Sequence, residues 1–336
     1  MTLIELGPTD LDRRSASMDE EEMLDTVMHQ SLALKPDENV LVVTDSPMQF
    51  LGELFAFGAC RVTNQMRLIV MPVAENHGSE PPYPVAKAMC ETDVGLLLTS
   101  KSLSHTEARE AASAAGARIA SMPTITYEMA LRTLCIDYCK MSRECEALAS
   151  LLTTASALHI SSAAGTDLHL NVRDRRGHPS TGLFTSPGAF GNLPDGEAFI
   201  APTEGEASGT LVIDGTSMDP SIESATSIRP TVIEIQDGLA NSVAGMGKAA
   251  LEAVFDHIGD GARNIAELGI GTNPATQLTG NVLESEKVAG TAHVALGNNF
   301  HIGGTVNVPF HLDGVITRPT VLADGTPLVE NGRLAV

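Results

Sequence analysis

Apolar positions follow two different patterns along the chain. In the first half they come as short continuous runs: Val40-Leu41-Val42-Val43, Leu68-Ile69-Val70-Met71, Val94-Gly95-Leu96-Leu97-Leu98 and Ile119-Ala120. These runs recur about every 25–30 residues, with helical spacing between them over 48–59, 84–91, 104–115 and 127–153. Continuous apolar strands alternating with helices predict a doubly wound parallel sheet covered on both faces. Ser104, followed three residues later by Glu107, is a capping-box pattern for the third helix. The acidic run Asp19-Glu20-Glu21-Glu22 reads as a solvated helix start, where negative charge suits the dipole.

After about residue 155 the pattern becomes alternating, and Gly, Thr, Asn and Pro become frequent. Stretches 157–162 and 168–172 alternate around Ala164-Gly165-Thr166-Asp167, as in a hairpin. Runs 209–215 and 231–238 read as further strands ending in Asp-Gly turns, and one helix is expected over 247–258. The fold class expected is therefore α/β, with an N-terminal doubly wound parallel-sheet domain over 1–155. A β-rich α+β domain follows over 156–336.

Charge narrows the partners. The 336 residues carry 42 acidic and 21 basic side chains, a formal net charge of −21. Such an excess argues against nucleic acid and anionic membranes and suits cation binding. The chain has no Trp and 4% aromatics, so base-stacking platforms are not expected. Residues 1–25 lack a basic start with an apolar run, and no apolar stretch approaches the roughly 20 residues of a membrane span. A cytoplasmic protein is expected. Cys60, Cys90, Cys135, Cys139 and Cys145 are an odd set in a chain without a leader, which predicts reduced thiols packed in apolar interior. Cys135 and Cys139 fall on one face of the fourth helix, but nothing nearby completes a metal site. The turns TDSPMQ and TSKSLS lack a glycine-rich cradle, so no nucleotide cofactor is expected.

Three segments in the second half place ionisable groups in apolar or glycine-rich settings: Gly191 to Pro202, Asn264 to Pro274, and Gly290 to Gly297 with His311 to Val315. A buried Glu without a partner is costly. His311 and Asp313 stand two apart, so on a strand they share a face. Glu197, Glu267 and Asp313 together bring three negative charges, which in a low-dielectric site must protonate or bind cations. Two divalent ions balance three carboxylates and a bridging hydroxide. With His293 and His311 added, the mixed donor set suits Zn²⁺, Co²⁺ or Mn²⁺.

In the same order, NLPDGE, AELGIG, HVALG and HLD resemble the motifs of the thermophilic metalloprotease family of aminopeptidases, the aminopeptidase T and S type. The resemblance covers about half the chain. It implies metal ligands at Glu197, Glu267, His293, His311 and Asp313, with Glu197 or Glu267 handling the proton of the attacking water. It further implies a metallo-aminopeptidase with two metal ions, a small peptide substrate and a homodimer. The family's Tyr, seven residues after the HVALG histidine, is replaced by Phe300, which cannot donate to an oxyanion. Glycines 269 and 271 are read as close backbone packing beside the metals, and Arg175 and Arg176, with His178, as a solvated basic loop, contact with a substrate carboxylate being the alternative.

Two other readings stand beside this one. His293, His311 and Asp313 can form the facial triad of a mononuclear non-haem iron ring-cleaving dioxygenase of the 2,5-dihydroxypyridine dioxygenase type. That type carries His where this chain has Glu267 and lacks the acid at Glu197. The two extra carboxylates favour the dinuclear hydrolase. The change at Phe300 motivates the other reading, a repurposed amide hydrolase.

Overall fold

The apolar runs of the first half form the strands Val40–Asp45, Met66–Met71, Val94–Leu98 and Arg118–Ser121. Their parallel order is Met66–Met71, Val40–Asp45, Val94–Leu98, Arg118–Ser121, with Phe190–Asn192 added in parallel beyond the last. Ile4–Leu6 closes the opposite edge antiparallel. Every residue of Val40–Asp45 and Val94–Leu98 is buried, as a strand covered on both faces requires. The computed structural model describes residues 3–11, 15–219, 222 and 229–336; parts of the acidic N-terminal stretch, 1–2 and 12–14, lie outside the described residues.

The chain divides into two compact units, Met1–Cys139 with Gly182–Pro194, and Lys140–Thr181 with Asp195–Val336. In the first unit, Arg118 makes a two-pronged ion pair with Glu38 (2.8 and 2.9 Å) and donates to the Leu32 carbonyl. The turns after two central strands are tied together: Asp45 accepts from Ser100 N (2.7 Å) and Ser100 Oγ (3.0 Å).

Several local expectations change. Helix Glu107–Ala114 is capped by Thr106, whose Oγ1 accepts from Arg109 N, and no capping box forms at Ser104. Ser104 is buried and bonds Ser121 Oγ at 2.9 Å instead. The single helix expected over 127–153 is two, Tyr127–Thr133 and Tyr138–Thr154. At the break Thr133 Oγ1 bonds back to the Met129 carbonyl, a pattern that loosens and bends helices. Cys135 therefore lies between helices and shares no helix face with Cys139. None of the five cysteines is in a disulfide, and of the five only Cys145 is buried.

The second unit contains two antiparallel sheets. One has eight strands and includes the expected hairpin, Ala157–Ser161 against Asp167–Asn171. The other has five, in the order His311–Ile316, Ala292–Gly297, Ile265–Gly271, Glu197–Ile200, Gly177–Ser180. Leu158, Ile160 and Leu168 of the first sheet and Ile200, Leu268, Ile270 and Val294 of the second share one core. Because side chains alternate along a strand, burying Leu268 and Ile270 in that core turns Glu267, Gly269 and Gly271 to the opposite face. His178 lies in the Gly177–Ser180 strand, where a loop was expected. Among the described residues no helix is long and apolar enough to cross a membrane.

Candidate metal centre

The register of the five-stranded sheet gathers the ionisable groups. Glu267 lies across from Ala295, which lies across from Asp313; one step along, Gly269 faces His293; Gly297 faces His311; and Glu197 faces Gly271. All these residues point to the face away from the core, and small residues alternate with the ionisable ones. The register slips between Ile265 and Glu267, a β-bulge of the kind that re-aims a side chain beside a site. Gly269 is required: a Cβ there would lie 2.1 Å from His293 Nε2. The expected close packing at this glycine is therefore against the imidazole.

All five expected ligands come together. His293 Nε2 is 3.4 Å from Glu197 Oε2 and 3.5 Å from Glu267 Oε1. His311 Nε2 is 3.4 Å from Asp313 Oδ2 and 3.7 Å from Glu267 Oε2. His311 Nδ1 is 2.8 Å from the Asn298 carbonyl. A carbonyl only accepts, so Nδ1 carries the proton there and Nε2 is directed at the carboxylates. Within the cluster Glu197 Oε2, His293 Nδ1 and Asp313 Oδ1 are buried without a hydrogen-bond partner.

Electrostatics follow from this crowding. Burial alone would lower the His293 pKa, but its bond to Glu267 and the charges of Glu197 and Asp313 push it up to about 9. His311 is raised to about 10: Asp313 and Glu267 outweigh desolvation. Asp313 is held well below the carboxylate range, since the His311 charge and hydrogen bond overcome burial.

Two residues escaped the sequence reading. Lys287 Nζ lies 2.6 Å from Glu197 Oε1 and 2.8 Å from Glu286 Oε1, with only 4% of its side chain exposed. Burial would lower the Lys287 pKa, but the charges of Glu197 and Glu286 raise it well above its ordinary value. Desolvation pushes Glu286 up to about 7, against the pull of Lys287. The available signal was a charged pair set directly before the apolar Val288-Ala289-Gly290.

Two groups of donors in this cluster each lie within 4.8 Å of one another: Glu267, His311, Asp313 and Glu286, His293, Asp313. Such oxygen and imidazole sets suit a divalent transition metal. The aromatic pair His178 and Phe199 (centroids 5.4 Å, 19° between planes) shares this face through the pairings of Phe199 with His178 and Gly269. Arg175 is committed to an ion pair with Glu204 and a bond to the Gly303 carbonyl. Phe300 is half exposed in a short turn, stacked edge-on with His301.

The fold is that of a known class of two-part α/β proteins. It resembles 2,5-dihydroxypyridine dioxygenase from Pseudomonas putida KT2440 (TM-score 0.80, 20% identity, 96% of this chain and 99% of that one). It also resembles wild-type AmpT from Thermus thermophilus (TM-score 0.71, 17% identity, 95% and 99%). The particular family is shown by sequence: the profile of NicX, 2,5-dihydroxypyridine 5,6-dioxygenase, matches residues 26–336, and the chain belongs to that family. A 2,5-dihydroxypyridine 5,6-dioxygenase of Pseudomonas putida KT2440 is 27% identical over 194 residues, 54% of this chain and 55% of that protein. The aligned stretch thus spans about half the length of that curated relative.

Family membership corrects the functional expectation. The resemblance to thermophilic aminopeptidases holds at the level of fold, as AmpT shows, but the family is one of oxidoreductases, so the metallo-aminopeptidase and hydrolase readings are overturned. The expectation of two Zn²⁺, Co²⁺ or Mn²⁺ ions falls with them. Its physical error is visible in the charge count. That count assumed no internal cation, whereas Lys287 pairs with Glu197 and Glu286 inside the cluster. Counting Glu286, the cluster has four carboxylates; the ammonium offsets one charge and a protonated His293, raised to about 9, offsets a second, so one divalent ion balances the remaining two.

Proposed function

We propose that this protein is a non-haem iron dioxygenase that opens a dihydroxypyridine ring between C5 and C6, with one iron held by Glu267, His311 and Asp313. The observation that carries this reading is the convergence of those three donors, all within 4.8 Å of one another, in a chain of the 2,5-dihydroxypyridine 5,6-dioxygenase family. The donor set fits the ion: Asp313 Oδ1 is buried without a partner, and Asn298 directs His311 Nε2 toward the carboxylates. It differs from the His293, His311 and Asp313 triad weighed from sequence, because Glu267, not His293, joins the His311–Asp313 group.

When bound, iron supplies the redox chemistry that lets O₂ react with an electron-rich hydroxypyridine. The side chains do the rest. Glu267 and Asp313 fix the ion and offset its charge. His293, raised to about 9, holds a proton between Glu197 Oε2 and Glu267 Oε1, where it can donate to an anionic ring oxygen. Phe199 and His178 give a flat ring an aromatic surface on the same face. The test is anaerobic loading with Fe(II), addition of 2,5-dihydroxypyridine, and O₂ uptake measured with product mass. A product that gains both atoms of labelled O₂ is expected. Iron-loaded protein that consumes no O₂ with any dihydroxypyridine refutes the reading.

A further inference from the structure

We infer that the Lys287 ammonium holds the place of a second metal ion and restricts this centre to one. The inference rests on the one-iron reading above and deepens it. Two metal-capable groups share Asp313: one is Glu267 with His311, the other is Glu286 with His293. Only the second is already served by a cation, since Lys287 Nζ is 2.8 Å from Glu286 Oε1 and 2.6 Å from Glu197 Oε1. Glu197 in turn lies 3.4 Å from His293. The ammonium therefore sits among the donors a second ion would use, and it repels any dication brought to the same carboxylates. An ammonium donates three hydrogen bonds and accepts none, so carboxylate oxygens are its natural surroundings. Its position is fixed at the backbone, where the Lys287 carbonyl accepts from Asn273 N (2.8 Å) and the preceding turn follows the helix Val282–Ser285.

Without the ammonium, Glu197, Glu286, His293 and Asp313 are left as a buried, negatively charged donor set with no counter-ion. Such a set either gains a cation or destabilises the fold. The experiment loads wild type, Lys287→Met and Lys287→Arg with Mn²⁺, removes excess ion, and reads metal per chain together with the electron paramagnetic resonance spectrum. Wild type and Lys287→Arg are expected to hold one ion with an uncoupled spectrum. Lys287→Met is expected to hold two, with the exchange-coupled spectrum of neighbouring ions. If Lys287→Met unfolds when metal-free, it is refolded in Mn²⁺, and recovery with two ions supports the inference equally. One ion in Lys287→Met, or failure to fold at any Mn²⁺ concentration while Lys287→Arg folds, overturns it and leaves the one-iron reading standing. Two ions in the wild type overturn both.

Discussion

Gly269→Ala tests whether His293 works as a positioned proton donor or as an iron ligand. The new Cβ would lie 2.1 Å from His293 Nε2 and 2.2 Å from Cε1. Ordinary contact begins at 3.4 Å, so the imidazole must retreat by about 1.3 Å, the difference from 2.1 Å. It has little room, being 1% exposed and flanked by Glu197 and Glu267 at 3.4 and 3.5 Å. Overpacking of this kind costs about 1–3 kcal/mol of stability. A displacement near 1 Å at a reacting group costs on the order of 100-fold in rate. The three atoms nearest the new methyl all belong to His293, not to the proposed iron ligands Glu267, His311 and Asp313. Turnover by O₂ uptake is therefore expected to fall about 100-fold, while iron per chain stays at one and the unfolding temperature drops by a few degrees. Turnover within about twofold of wild type would show that the position of His293 is immaterial. Loss of the iron itself would show that His293 is a ligand, and would refute this division of roles.

Further outcomes follow from the same geometry. Asp313→Asn keeps the shape but removes the charge shared by both donor groups; iron affinity should fall at least about 100-fold in chelator competition. In the metal-free variant the His311 pKa should drop from its raised position, as a histidine titration by NMR would register. Glu204 is held at about 2: burial would raise it, but the Thr305 amide, Asn299 and Arg175 prevail. Because its folded pKa is depressed, the stability it contributes is present above its ordinary 4.5 and is lost as pH falls through about 2. Glu204→Gln should therefore flatten the acid limb of a stability–pH curve over that window. Burial pushes Cys145 up to about 12, with Thr272 as hydrogen-bond partner. At pH 8 a maleimide should modify Cys90 and Cys139, which are exposed, and leave Cys145 intact until unfolding; rapid labelling of Cys145 in the native state would contradict its placement.

Much of the fold was legible because burial imposes a period. Strands closed on both faces must read as continuous apolar runs, and Val40–Asp45 and Val94–Leu98 do. Strands with one polar face must alternate, and that alternation is why the spacing of His311 and Asp313 alone puts them together. The misses occurred where tertiary contacts outweighed local pattern. Ser104 matched a cap, but its hydroxyl is used by Ser121 of a neighbouring strand, so the cap moved to Thr106. The region around Cys135 matched a continuous helix, and the back-bonded Thr133 marks where it breaks. Arg175 stood in a basic loop that suggested a ligand contact, but Glu204, 29 residues later, takes its guanidinium.

The buried counter-charge was hidden for a related reason. Glu197, Glu267, His293, His311 and Asp313 can be read from strand spacing because each sits on an element with a period of two. Lys287 sits on no strand; it follows a four-residue helix, in the run Glu284-Ser285-Glu286-Lys287, which has the composition of a solvated surface. Instead, all four residues are buried. Glu284 accepts from Gln277 N and Thr279 Oγ1, which anchors the turn, and the next two charged residues then reach the cluster. A single lysine thus changes what five well-placed ligands amount to. Without it, the four carboxylates Glu197, Glu267, Glu286 and Asp313 call for two dications; with it and a protonated His293, one suffices. Ligand identity alone therefore does not fix how many metal ions such a cluster takes, and the counter-charge buried behind the ligands has to be counted with them.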